Sequence, residues 1–352
     1  SYLDAHPGAD EVRLAYARSL IGGKRYDPAR QAFSVLLEHN PDNPEALYAV
    51  ALLSIQLDDL PAAELHLKRL LELGTGNVNL LRYYLGQVTE ASKRPTEALA
   101  WYLKVTPGEQ YLPALSRAAS LLAREGQIDQ GRVVLQKAGQ DQPDARIPLL
   151  IAESQLLVNA KRPADAYRLL DGHLRQQPDQ PELLYETALL ADRLKHFDVL
   201  ERNLRRLIRL KPDDAHAYNA LGYSLADRGQ HLEEAAKLID KGLSLSPEDA
   251  FILDSKGWLL YRRGERKEAL QILRKAYGLR TDPEIAAHLG EVLWVSGQEE
   301  EARQMWQEAA AKNADNEPLD KPMARFLGEK PRREPENTAG DAPPRAAAGS
   351  LQ

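Results

Sequence analysis

Apolar residues along this chain recur with a helical rather than a strand period, and the pattern is itself repeated. The stretch from Leu210 to Ala314 shows this most clearly: a shift of about 34 residues lays it on itself three times. The pairs Leu221-Gly222, Lys256-Gly257 and Leu289-Gly290 correspond, as do the loop glycines Gly229, Gly264 and Gly297. An Ala follows (Ala235, Ala269, Ala302), then a large apolar residue (Ile239, Leu273, Trp306). Each unit is predicted to be two short antiparallel helices. Such a hairpin is too small to bury its apolar face alone and is stable only when stacked on its neighbours.

The same frame extends towards the start of the chain. Pro7, Pro41, Pro143, Pro178, Pro212 and Pro247 fall at multiples of 34 or 35 residues, at the turn between units. Proline suits that place because it fixes φ and cannot continue the preceding helix. A small residue recurs where the two helices of a unit must come close: Ala29, Ala63, Ala98, Gly131, Ala166, Ala235, Ala269 and Ala302, with Leu200 as the exception in the sixth unit. Nine units result: 10–43, 44–77, 79–110, 112–145, 147–180, 181–214, 215–249, 250–282 and 283–316. Residues 1–9 read as the end of a preceding unit, with Ser1–Pro7 as the tail of its second helix, so that the chain is expected to be a piece of a longer protein. Residues 317–352 are rich in Pro and poor in apolar side chains, and are expected to be a flexible tail. Within it, Met323–Leu327 is a candidate cap for the last unit.

Composition agrees with stacked helices. Hydrophobic residues make up 43% of the chain but aromatics only 6%, so Leu and Ala carry the core. The net charge of −6 gives no global attraction to nucleic acid. Cysteine is absent, which removes disulfides and thiolate chemistry and leaves the redox compartment open.

Catalytic motifs are missing. No two of the eight histidines have the spacing of a zinc-binding HExxH helix, and no Gly-rich phosphate loop or G-x-S-x-G elbow is present. The chain therefore reads as a non-enzyme with no cofactor and no metal site. Partners of such stacks bind along the concave surface lined by the first helix of each unit. The groove-facing places supply Tyr48, Ile55, Tyr83, Gln87, Arg117 and Arg124, then Tyr185 and Arg193. Further on come Asn219, Tyr223, Asp254, Trp258, Tyr261 and Arg262, and finally Glu291 and Trp294. Tyr, Trp and Arg make interface hot spots when desolvated, and they are densest from Tyr223 to Trp294. The same aromatics also suit gap-filling between neighbouring units, Trp258 and Trp294 above all, and both readings stand at this point. The basic run Arg202, Arg205, Arg206, Arg209 and Lys211 reads as a solvated outer face.

These motifs resemble the tetratricopeptide repeat family over residues 1–316. The resemblance implies an all-α fold, a right-handed superhelical solenoid of helix-turn-helix repeats. A narrower resemblance lies in DSKGWLLYRRGERKEALQILRKAYGL and DPEIAAHLGEVLWVSGQEEEARQMWQEA. These stretches are similar to the C-terminal signature of a proteobacterial family of envelope repeat lipoproteins. That family implies a lipid anchor, absent from this chain, that holds the solenoid at the periplasmic face of the outer membrane. It also implies a protein partner, a carboxyl-terminal processing serine protease, and an adaptor role that brings peptidoglycan hydrolases to it for degradation. Two other readings stay open: a general assembly scaffold, and a regulatory arm of an enzyme whose catalytic domain lies upstream.

Overall fold

The computed structural model describes residues 8–312 and 317–328, together with Leu3 and His6. The expectation for Ser1–Pro7 otherwise lies outside the described residues, as does that for residues 329–352. The chain divides into two compact units, Ser1–Val199 and Leu200–Gln352. Among the described residues every regular element is helical.

In the first unit the helices are α1 (Asp10–Gly22), α2 (Tyr26–His39), α3 (Pro44–Gln56), α4 (Leu60–Glu72), α5 (Val78–Ala91), α6 (Pro95–Tyr102), α7 (Tyr111–Arg124), α8 (Ile128–Asp141), α9 (Arg146–Asn159), α10 (Pro163–Gln176) and α11 (Pro181–Arg193). The division between the units falls within α12 (Phe197–Leu210). The second unit continues with α13 (Ala215–Asp227), α14 (Leu232–Leu245), α15 (Ala250–Arg262), α16 (Arg266–Leu279), α17 (Pro283–Val295) and α18 (Glu299–Lys312). Within each unit, helices pack on their sequence neighbours as successive hairpins, and the first helices of adjacent hairpins also touch, as α13 does α15 and α15 does α17.

Local chemistry sets the helix ends. Asn43, Asp59, Asn77, Asp214, Asp249 and Asp282 each accept a hydrogen bond from a first-turn backbone N–H, and Pro44, Pro181 and Pro283 open their helices. Between the helices of each hairpin one residue adopts a left-handed backbone: Lys24, Asp58, Lys93, Gly126, Lys161, Lys195, Gly229, Gly264 and Gly297. Glycine takes that conformation without penalty, whereas Lys or Asp there costs roughly 1–2 kcal/mol of Cβ strain. The turns that end in Gly at 229, 264 and 297 are thus the ones most visible in the sequence.

The small positions do what their size suggests. Ala29, Ala63, Ala98, Ala166, Ala235, Ala269 and Ala302 are fully buried, and a Cβ on Gly131 would lie 2.8 Å from the Ala119 carbonyl oxygen. A second small position faces the large residue of the partner helix: Gly222 faces Ile239, Gly257 faces Leu273, Gly86 faces Tyr102 and Gly290 faces Trp306. Gly86→Ala would drive a methyl into the fully buried Tyr102 ring, so a loss of about 1–3 kcal/mol is expected, read as a lower denaturation midpoint for the first unit.

The sequence reading starts the tail at residue 317. In the structure Glu317–Pro322 forms helix α19, which packs on α17, and Met323–Leu327 makes a π turn. Leu319 is fully buried, and Met323, Phe326 and Leu327 pack against the core of the last hairpin. These apolar residues cover a face that no further repeat covers within the described residues.

Candidate functional site

The first helices α13, α15 and α17 and the terminal segment enclose a cavity of about 320 Å³ in the second unit. Its wall includes Tyr223, Trp258 and His288, its acidic groups are Asp227, Glu284 and Glu291, and Pro318, Lys321 and Pro322 close one side. The repeat brings these residues together: adjacent first helices pack side by side, and Asp254 and His288, 34 residues apart where these two units repeat at 33, meet one place out of strict register.

Beneath the cavity lies a buried ionic pair. His288 Nδ1 sits 2.7 Å from Asp254 Oδ2, and both side chains are shielded from solvent. The other imidazole nitrogen, Nε2, is 3.3 Å from the Tyr223 hydroxyl. Trp258 stacks on the His288 ring at 4.3 Å between centroids and 23° between planes, and its indole N–H donates to Asp227 Oδ1 at 3.1 Å. Burial opposes the imidazolium, but the charges of Asp254, Glu284 and Asp227 and the Asp254 hydrogen bond outweigh it, and the His288 pKa is raised above the ordinary 6.5. An imidazolium on an indole face adds a cation–π attraction of about 0.5–2 kcal/mol. His288, Asp254, Tyr223, Trp258 and Asp227 therefore clasp three consecutive hairpins together.

The structure sorts the candidate residues from the sequence into several roles. Asp254 and Trp258, at 3% and 6% exposure, are interior residues of the stack, with little surface to offer a partner. Trp294 is half-buried, stacked on Trp306 and against Phe326 of the terminal segment. For Trp258 and Trp294, gap-filling between units accounts for most of their surface. Tyr261 is half-buried and donates to Glu291 Oε1, which also accepts from Arg325. Arg262 is exposed and closes the preceding unit by donating to the Asp227 carbonyl at 2.6 Å. Asn219 and Tyr223 are half-buried on α13. Tyr185 and Arg193 lie on α11 of the first unit, half-buried and exposed respectively. Also in that unit, Arg117 and Arg124 both pair with Glu90, which accepts from the Tyr102 hydroxyl as well.

The sequence reading missed His288, Glu284 and Asp227. The signal was partial: Asp254 is the fifth residue of its unit and His288 the sixth of the next, so the period brings them near one another without pairing them. A search for ligand spacing within one helix passes over such a pair.

Comparison with known proteins agrees with the repeat fold. Tetratricopeptide repeat models match residues 1–53 and, in the second unit, residues 201–250 and 255–318. The fold is that of tetratricopeptide repeats, and these three stretches match the family itself. The TPR repeat-containing protein PA4667 of Pseudomonas aeruginosa is 37% identical over 214 residues, which is 61% of this chain and 36% of that protein. Cellulose synthase operon protein C of Pseudomonas fluorescens is 27% identical over 244 residues, 62% of this chain and 19% of that protein. The solenoid thus spans about a third of the first relative and a fifth of the second. Among solved structures, a monomeric mutant of human IFIT1 matches with a TM-score of 0.50 at 19% identity, covering 77% of this chain and 70% of that one, a likeness of fold alone. Tetratricopeptide repeats commonly serve as protein-binding surfaces. Among the described residues no helix is long and apolar enough to cross a membrane.

Proposed function

We propose that the solenoid is a non-catalytic adaptor that binds a carboxyl-terminal processing serine protease at the periplasmic face of the outer membrane. In this reading it brings cell-wall hydrolases to the protease. The resemblance of Asp254–Leu279 and Asp282–Ala309 to the envelope lipoprotein signature supports the choice of partner. The observation that carries a binding role is the cavity built by α13, α15, α17 and the terminal segment, with the exposed Glu284 on its wall. It is a concave, partly apolar recess with convergent polar groups, the form in which a repeat stack receives a projecting side chain or helix end. An adaptor needs no reacting residue, because contacts spread over several repeats raise the effective concentration of protease and substrate for each other.

Affinity purification of the full chain from its native envelope, followed by mass spectrometry, tests this reading. Recovery of a carboxyl-terminal processing protease together with cell-wall hydrolases is the expected result. Glu284→Lys is expected to lower protease recovery about tenfold, equivalent to about 1.4 kcal/mol, by reversing a charge on the cavity wall. Recovery of ribosomal or cytosolic proteins alone would overturn it.

A further inference from the structure

A second cavity, in the first unit, contains a buried carboxylate at a place where most other repeats carry an uncharged residue. It has a volume of about 510 Å³ and lies among α8, α9 and α10. Leu135, Leu149, Leu150 and Leu169 supply its apolar lining. Glu153 lines it as well, with its side chain only 3% exposed. In other repeats the residue before the small position of the first helix is the exposed Tyr16 or the buried Val50, Leu85, Ala118, Thr187, Leu221 or Leu289. Lys256, at the same place, is half-buried and ion-paired with Asp240 at 2.7 Å.

The stacking of hairpins therefore does not require a charge at this place, and burying one is unfavourable. Glu153 Oε1 accepts from Arg132 Nε at 2.9 Å and from Gln136 Nε2 at 2.7 Å. Among the described residues no hydrogen bond reaches Oε2, on a side chain that lines the cavity. A carboxylate oxygen with an empty acceptor site in a leucine-lined recess is complementary to an apolar group that ends in a donor.

We propose that this cavity receives the side chain of a Tyr or Trp from a protein partner, with the ring against the four leucines and its O–H or N–H donating to Glu153 Oε2. Charge decides against a cationic side chain. Arg132 already neutralises Glu153, and Arg146 also lines the cavity, so a further cation meets net repulsion. A purely hydrocarbon group would leave the buried oxygen unpaired. Phenol and indole combine an apolar body with one donor tip and are the side chains that most often anchor interfaces.

The proposal rests on the protein-binding reading, but its test needs no partner, so either can fail while the other holds. The probes are p-cresol, 3-methylindole and toluene, titrated into the full chain with ¹³C-labelled leucine methyls. Shifts of the Leu135, Leu149, Leu150 and Leu169 methyls are expected, with p-cresol and 3-methylindole binding about tenfold tighter than toluene. Glu153→Leu restores the residue type that other repeats use, and should abolish the preference while the chain stays folded. Equal affinity of p-cresol and toluene for the unaltered chain overturns the proposal without reference to any variant. Absence of shifts at millimolar probe, or a preference that survives Glu153→Leu, does so equally.

Discussion

His288→Leu is expected to destabilise the Leu200–Gln352 unit by about 3–5 kcal/mol, because it leaves the buried Asp254 carboxylate without its cation. One oxygen of that carboxylate, Oδ1, has no hydrogen bond even with the imidazole in place, so the pair has no spare partner to fall back on. Replacing both residues, Asp254→Leu with His288→Leu, should recover most of the loss, since a buried ion pair exchanged for hydrocarbon of similar volume is often neutral. Repeat arrays do not unfold as one cooperative block, so amide hydrogen exchange in α15 and α17 is a better measure than a single melting temperature. A double variant as unstable as the single one would show that the Tyr223 and Trp258 contacts to the ring matter more than the charge.

The same pair makes this unit sensitive to pH, and the sign follows from the raised pKa of His288. A group whose pKa is higher folded than unfolded stabilises the folded state fully below its unfolded value, here near 6.5, and loses that contribution as pH rises through the folded value. The charged neighbours are Asp254 on α15, Asp227 on α13 and Glu284 on the same helix as His288. Exchange protection in α15 and α17 should therefore fall as the solution is taken from pH 6 towards alkaline values. The doubly substituted chain should show no such trend from this pair.

Periodicity made the hairpins legible, and steric demand explains why. A residue such as Ala235 or Ala269 is small because a neighbouring helix axis lies against it, and that demand recurs in each repeat whatever the partner. Burial of Trp258 was legible only as one of two readings. Its place on the first helix suits a groove residue, and what buries it is a histidine from the next hairpin, a contact that depends on two particular side chains. The left-handed Lys24, Lys93 and Lys161 were also invisible, because lysine carries no signal for that backbone conformation. Glu153 was missed for the opposite reason. It breaks the pattern, and pattern-seeking treats a break as degeneracy.

Trp306→Ala is the substitution expected to act furthest from its own position. Trp306 is fully buried, lies against Gly290, and stacks on Trp294 at 5.9 Å and on Phe326 at 5.8 Å. Removing a fully packed indole costs about 3–5 kcal/mol, partly as lost transfer energy and partly as a cavity that rigid helices close only in part. The segment Glu317–Leu327 should respond most, because Phe326 packs on the two indoles and Leu319, Met323 and Leu327 pack against the same core cluster. Faster proteolysis and faster amide exchange in 317–327, with protection in α13 and α14 largely retained, is the expected pattern. Trp306→Phe separates shape from chemistry. The indole N–H is buried without an acceptor, an arrangement that itself costs about 1–3 kcal/mol, so the smaller ring loses area but sheds that penalty. It should be much milder than Ala and should keep the terminal segment docked. If Phe releases the segment as readily as Ala does, then the fit of the indole against the Gly290 backbone, rather than aromatic stacking, is what seats the end of the solenoid.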